Sequence, residues 1–282
     1  MHLRLIADLL PGNVKDGEKG GGFGMEAALN KSKFSWAEYF SDKKNGGHRY
    51  STEEFLYKEA KEKLFHLSGG KSLLDFGCGA GELLIYYVPN YERVVGADFS
   101  SSMLFEAEKK IWQQNYKNVN LILADDKTIW DKLNISFDRI TATSVVQYLT
   151  PEQIDAFIRH ASDYLNEDGK IVFFDIIDPR LYSLWNFGWF SQNFRLWKTL
   201  PRVGLGCFKH VSAILNNRPG DIIGDAHIPY LIEKIANKHG FKMEYVKSMY
   251  YEYRYHAILS KDIMRPFRAC EALEEDLALI VL

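Results

Sequence analysis

The sequence predicts an α/β protein whose central sheet is largely parallel and covered by helices on both faces. Three observations carry that expectation. Between residues 71 and 177, short and nearly continuous apolar runs recur. Longer segments of helical periodicity separate them. Directly after the first run, LLDFGCGAGEL places glycine at 77, 79 and 81, the pattern of a sharp turn from a buried strand into a helix.

The elements follow in order. Residues 12–24, GNVKDGEKGGGFG, are glycine-rich and charged and read as a flexible lead-in. After WAEYF and a polar break comes STEEFLYKEAKEKLFHL, with Ser51 or Thr52 as N-cap and acids in the first turn. Its Phe55, Leu56, Ala60, Leu64 and Phe65 fall near helical spacing and form the expected inner face. KSLLDF (71–76) is the first strand, followed by a helix through ELLIYYV. RVVGAD (93–98) is a strand and SSMLFEAEKKIWQQN a helix. VNLILAD (119–125) and SFDRITATSVV (136–146) are strands. PEQIDAFIRHASDYL opens with proline in its first turn, where no amide partner is lost. GKIVFFDII (169–177) is the fifth strand.

Residues 178–208 are crowded with aromatics and hold one acid, Asp178. IPYLIEKIANKHGF is a sixth core-type helix stopping at His239-Gly240. Two alternating runs near 241–248 and 253–260 form an antiparallel pair, and an amphipathic helical tail closes the chain. The expected organisation is a lead-in with cap helices (1–68), a ligand-binding core (69–177), an aromatic-rich insertion (178–226), the end of the core sheet (227–260) and the tail (261–282).

Composition removes several function classes. The 282 residues are 46% hydrophobic and carry a formal net charge of −2, so no global basic field draws the chain to nucleic acid. Cys78, Cys207 and Cys270 are odd in number and widely spaced, which argues against a disulfide framework or a zinc site and for a reducing, cytoplasmic compartment. MHLRLIADLLPGN is too short and interrupted for a signal peptide. No apolar run reaches the length of a membrane span. A soluble monomer or homodimer is the expected state.

The glycine bend raises the question of its ligand. The spacing is G-x-G-x-G, not the G-x-G-x-x-G of a dinucleotide site, and Asp75 stands two residues before the first glycine. A carboxylate there opposes a diphosphate and favours a cationic ligand. Asp98 ends the second strand, where an acid can accept from ribose hydroxyls. Asp125 and Asp126 follow the third. All of these acids fall on the carboxyl edge of the sheet, where open α/β folds bind ligands.

Together LLDFGCGAGEL, VVGADFSSSML, LILADD and FDRITATSVVQYL resemble the successive cofactor motifs of class I S-adenosylmethionine-dependent methyltransferases, over roughly residues 71 to 177. The resemblance implies a Rossmann-like sheet of seven strands in order 3-2-1-4-5-7-6, the last antiparallel, with helices on both faces and a helical cap. It implies that Asp75 holds the methionine amino group, directly or through water, while Gly77, Gly79 and Gly81 pack against the cofactor. Asp98 would grip the ribose, Phe99 and Met103 flank adenine, and Asp125 meet the adenine amino group with Asp126 beside it. Cys78 and Ser100, next to these positions, belong to the same implied set. Thr143, Ser144 and Gln147 would border the methyl-transfer site. WAEYF resembles an element that many small-molecule members place over the cofactor, which adds Tyr39 and, more weakly, Arg49 and Tyr50.

The expected activity is methyl transfer to a small-molecule acceptor; an NAD-dependent oxidoreductase and a non-catalytic binding subunit are the alternatives. No Asn/Asp-Pro-Pro-Tyr/Phe element follows the fourth strand, which argues against amino methylation of nucleobases or glutamine. Methylation of a partner protein stays open. Cys78 also reads as a small buried filler. No metal spacing joins the histidines, and His48 and His227 are the candidates for a catalytic base. The insertion after the fifth strand occupies a position where the family commonly builds acceptor-binding elements.

Overall fold

The structure, a computed structural model, describes residues 51–186 and 226–261, with side chains over 51–182 and 226–261. These residues belong to the unit Phe40–Leu282. The lead-in, WAEYF with Tyr39, His48, Arg49 and Tyr50, most of the aromatic insertion and the tail lie outside them, as do Cys207 and Cys270.

Seven strands form one sheet: β1 (Ser72–Phe76), β2 (Arg93–Asp98), β3 (Val119–Leu123), β4 (Phe137–Thr143), β5 (Leu165–Ile177), β6 (Phe241–Lys247) and β7 (Arg254–Lys261). Their order is β3-β2-β1-β4-β5-β7-β6. The first five run parallel, and β7 is antiparallel to both β5 and β6. The expected order and the reversed last strand are both found.

The helices of the described residues are α1 (Glu53–Leu67), α2 (Leu84–Tyr87), α3 (Ser101–Gln113), α4 (Pro151–Asp163), α5 (Pro179–Asn186) and α6 (Pro229–Lys238). Successive side chains of a strand point to opposite faces, so one sheet builds two cores. Leu74, Phe76, Val95, Ile140 and Phe173 pack beneath Ile154, Phe157 and Ile158 of α4 and Ile232 of α6. Leu73, Val94, Val172 and Phe174 pack on the other side against Ala60 and Leu67 of α1, Leu84 and Tyr87 of α2 and Leu104 of α3. Burying one such side chain as fully as Phe157 stabilises by about 1.5–3 kcal/mol.

Helix α4 shows why these segments start where they do. Thr150 accepts from the Gln153 amide at 3.3 Å while the Gln153 side chain accepts from the Thr150 amide at 3.0 Å, a reciprocal capping box just ahead of Pro151. The helix expected through ELLIYYV is only the single turn of α2, continued by a 3₁₀ turn at Val88–Asn90. Pro89 has no amide to donate and cannot extend an α-helix. The strands expected to 125 and 146 stop at Leu123 and Thr143, and β5 starts earlier, at Leu165.

Helix α1 departs from its expected face. Glu59, Glu62 and Lys63 are buried, whereas Phe65 is 76% exposed. They pair with one another and with groups on β5 and in the β6–β7 region. Lys63 Nζ lies 2.8 Å from both Glu59 Oε1 and Asp175 Oδ2. Glu62 Oε1 accepts from the Met249 amide at 2.6 Å and lies 3.2 Å from His256 Nε2.

Candidate functional site

Parallel pairing in close register brings the ends of β1, β2 and β3 to one edge. The loops beyond them are stitched together through the backbone. Gly77 and Cys78 amides donate to Ala97 O at 2.7 and 3.0 Å, and the Ala124 amide donates to Asp98 O at 3.0 Å. Asp75, Asp98, Asp125 and Asp126 therefore stand at a common rim, as the sequence predicts.

The bend Gly77-Cys78-Gly79-Ala80-Gly81 takes φ of 75°, 56° and 76° at its three glycines, the left-handed region that side chains disfavour. The glycines divide the remaining work. A Cβ on Gly77 would collide with Val145 Cγ2, and one on Gly81 would sit 3.0 Å from Ala107 Cβ. A Cβ on Gly79 would meet nothing within 4 Å. Packing of the protein itself uses the bareness of Gly77 and Gly81, and the open space lies over Gly79. The Gly81 amide is already bonded to Cys78 O at 3.0 Å, and α2 starts only at Leu84. The Gly81 amide is therefore not available to a ligand, and Gly81 O accepts from the Ile85 amide at 3.2 Å as the helix begins. Lys110 of α3 pins the loop by donating to Ala80 O at 2.6 Å and pairing with Glu82 at 3.2 Å.

The electrostatics of the rim are uneven. Asp75 is 3% exposed and accepts no hydrogen bond from the described residues. Burial, reinforced by the Asp98 charge, lifts its carboxyl pKa to about 7. Asp98 Oδ2 accepts from the Gly79 amide and Oδ1 from the Ser100 amide, each at 2.9 Å. Burial still outweighs these bonds and raises its pKa. Among the described residues no cation stands between these two buried acids.

Asp125 Oδ1 accepts from the Thr128 hydroxyl at 2.7 Å and from the Thr128 and Lys127 amides, which lowers its pKa, the hydroxyl contributing most. Asp126 Oδ2 accepts from Gln153 Nε2 at 3.0 Å, tying the rim to α4. Ser100 caps α3, its hydroxyl accepting from the Met103 amide at 3.4 Å. Phe99 is 45% exposed at the rim, while Met103 is buried. Cys78 is buried with Sγ against Gly96, where a Cβ would approach it to 3.2 Å, and burial pushes its thiol well above the ordinary range. It fills space, as its size predicts.

Beyond β4, Ser144 adopts φ 56°. A side-chain-bearing residue in that conformation costs about 1–2 kcal/mol. Thr143 Oγ1 is buried without a hydrogen-bond partner among the described residues. Gln147 is buried; its Nε2 donates to the Tyr148 hydroxyl at 2.7 Å, and its Oε1 has no partner among the described residues. His227 is buried with Nε2 3.1 Å from Val146 O. A carbonyl only accepts, so Nε2 carries the proton and serves the turn, which removes that nitrogen as a base. A separate cavity of about 380 Å³, lined by Arg180, Pro229, Glu233, Met243 and Tyr245, includes none of the rim residues.

Sequence reasoning missed Arg254, whose Nη1 donates to Ser144 Oγ at 2.9 Å. It also missed the buried ions beneath α1. Their only signal was three charges falling within a helix that needs an inner face. Among the described residues no cluster of histidine, cysteine or acids is arranged to hold a metal.

Residues 74–171 match the family model described as "Methyltransferase domain". A probable S-adenosylmethionine-dependent methyltransferase of Saccharomyces cerevisiae, CRG1, is 27% identical over 133 residues, covering 44% of this chain and 45% of that protein. A probable (S)-tetrahydroprotoberberine N-methyltransferase of Papaver bracteatum is 30% identical over 159 residues, covering 52% and 40%. The chain thus spans less than half the length of these curated relatives. Among solved structures, the magnesium protoporphyrin IX methyltransferase of Synechocystis with bound SAM superposes with a TM-score of 0.52 at 16% identity, over 82% of this chain and 97% of that one, a likeness of fold. Sheet order and domain match converge: residues 74–171 are similar to a methyltransferase domain, and the sheet has the fold of a solved methyltransferase with bound SAM.

Proposed function

We propose that the protein binds S-adenosylmethionine at the β1–β3 rim and methylates a small-molecule acceptor. The observation that carries this reading is Asp75, a buried carboxylate beside Asp98 with no cation and no hydrogen-bond donor among the described residues. An ammonium group on the ligand supplies what the protein withholds. A diphosphate at the same place would meet two like charges, which disfavours a nicotinamide cofactor.

In this reading Asp75 holds the amino end of the ligand, and Gly79 leaves room for it over the bend. Asp98 keeps lone pairs beyond its two amide bonds and accepts from the ribose hydroxyls. Phe99 offers an exposed ring to the adenine, and Asp125 and Asp126 flank its amino group. When bound, the cofactor supplies a methyl group already activated by a sulfonium centre. The work left to the chain is alignment of the acceptor and exclusion of water. Thr143, Ser144 and Gln147 border that step. The cysteine pattern supports a cytoplasmic location, and no helix of the described residues is long and apolar enough to cross a membrane.

Calorimetric titration tests the proposal. S-adenosylmethionine binds, NAD does not, and Asp98→Ala lowers the affinity about 10- to 100-fold, the worth of a charge-assisted hydrogen bond. Binding of NAD without S-adenosylmethionine overturns it.

A further inference from the structure

The turn after β4 is gripped by parts of the chain far from the acidic rim. Ser144 stands in the left-handed region, which serine does not hold by preference. Its amide donates to Phe174 O at 3.0 Å, which anchors one side. Its hydroxyl accepts from Arg254 Nη1 at 2.9 Å, which anchors the other. Arg254 opens β7 opposite Ile177, at the same edge of the sheet. We propose that Arg254 is a positioning residue that holds Ser144 in its left-handed conformation and so sets the turn 143–147 against the methyl-transfer site. The inference rests on the methyltransferase reading for the meaning of that site, and on geometry alone for the grip.

The surroundings of the guanidinium point to positioning and not to a plain ion pair. Its hydrogen bonds go to neutral oxygens, the Ser144 hydroxyl and the Asp175 carbonyl at 3.3 Å. Its carbon lies 5.1 Å from the centre of the Tyr251 ring and 5.5 Å from that of Tyr253, so aromatic faces fix its plane. The Asp175 carboxylate makes its direct ion pair with Lys63, and Arg254 reaches it only through its charge.

A bulge explains why Asp175 turns both ways. Pairing of β5 with β7 passes from Phe173↔Ala257 to Ile176↔Tyr255, one extra residue on β5. Asp175 absorbs it with φ 59°, and its displaced amide donates to His256 Nδ1 at 3.1 Å. The bulge offers the Asp175 carbonyl to Arg254 and the carboxylate to α1. No hydrogen bond or ion pair joins Arg254 to Asp75, Asp98 or the glycine bend.

Amide hydrogen exchange at residues 143–148 of the full chain, paired with S-adenosylmethionine titration, tests the grip. Arg254→Met is expected to speed exchange across the turn at least about tenfold while changing affinity less than about threefold. Adding Ser144→Gly, which adopts positive φ unaided, is expected to return exchange toward the parent value. A merely structural role would loosen β5 and β7 generally, and glycine at 144 would not repair it. Should Arg254→Met fail to fold, Ser144→Ala removes only the accepting hydroxyl and must loosen the same turn. Unchanged exchange in these variants, or no repair by glycine, overturns the inference. Failure of the parent protein to bind S-adenosylmethionine overturns the functional reading and leaves the exchange result standing.

Discussion

Asp75 and Asp175 are equally deep carboxylates on the same sheet, and their acidities move in opposite directions. Burial dominates at Asp75, with Asp98 adding a like charge, and the group is pushed up to about 7. At Asp175 burial pushes the same way, but Lys63, His256 and Arg254 together overcome it and hold the carboxyl below its ordinary value. Lys63 answers in kind: its pKa is raised, because Asp175 and Glu59 outweigh the penalty of its own burial. One acidic region is closed with its cations inside, and the other is left short of a cation. Under the proposed function the buried deficit is where the cationic ligand enters, whereas the buried balance holds the fold.

Breaking the balanced region should have the largest effect. Lys63→Met leaves Glu59 and Asp175 facing each other in the interior, and denaturant unfolding should show a loss of about 3–5 kcal/mol. Next come the glycines, which sharpen the contrast at the rim. Gly77→Ala drives a methyl into Val145 and should cost about 2–4 kcal/mol of stability. Gly79→Ala meets open space, so only the left-handed backbone is penalised, by about 1–2 kcal/mol, while calorimetry registers a loss of cofactor affinity.

The unbalanced region should announce itself through pH. Asp75 has a folded pKa of about 7 against an ordinary 3.8, so the folded, ligand-free chain holds a proton that the unfolded chain releases. Stability of the free protein is then fullest below about 4 and declines as pH rises toward about 7, which melting across that range will show. A cationic ligand displaces the proton. Affinity for S-adenosylmethionine should therefore climb with pH below 7, by up to about tenfold per unit, and level off above it. Asp75→Asn should flatten both profiles. The smallest effect belongs to the surface. Lys238 and His239 reach Asp155 at 2.9 and 3.0 Å, but Lys238 is largely in water, and Asp155→Ala should cost well under about 1 kcal/mol in a thermal melt.

Most of the rim was legible because each of its parts is local. Glycine at 77, 79 and 81, an acid at each strand end and a serine heading α3 sit within a few residues of the turns they shape. Even there, local pattern could not distribute the work. That Gly77 yields to Val145 while Gly79 faces open space depends on the turn after β4, which no spacing in the glycine bend encodes. The inner face of α1 was misread for a related reason. Phe65 was placed on the inner face and is exposed, whereas Lys63, which no apolar spacing picks out, is buried.

The sequence by itself determined the strands, the bend and the line of acids, since hydrophobic period and turn chemistry act over a handful of residues, while the sheet order followed from the family resemblance of its motifs. Only the tertiary structure decided which charges go inside. Glu62 meets His256 across 194 positions of chain, and a helix can bury a charge only when a distant partner arrives to meet it.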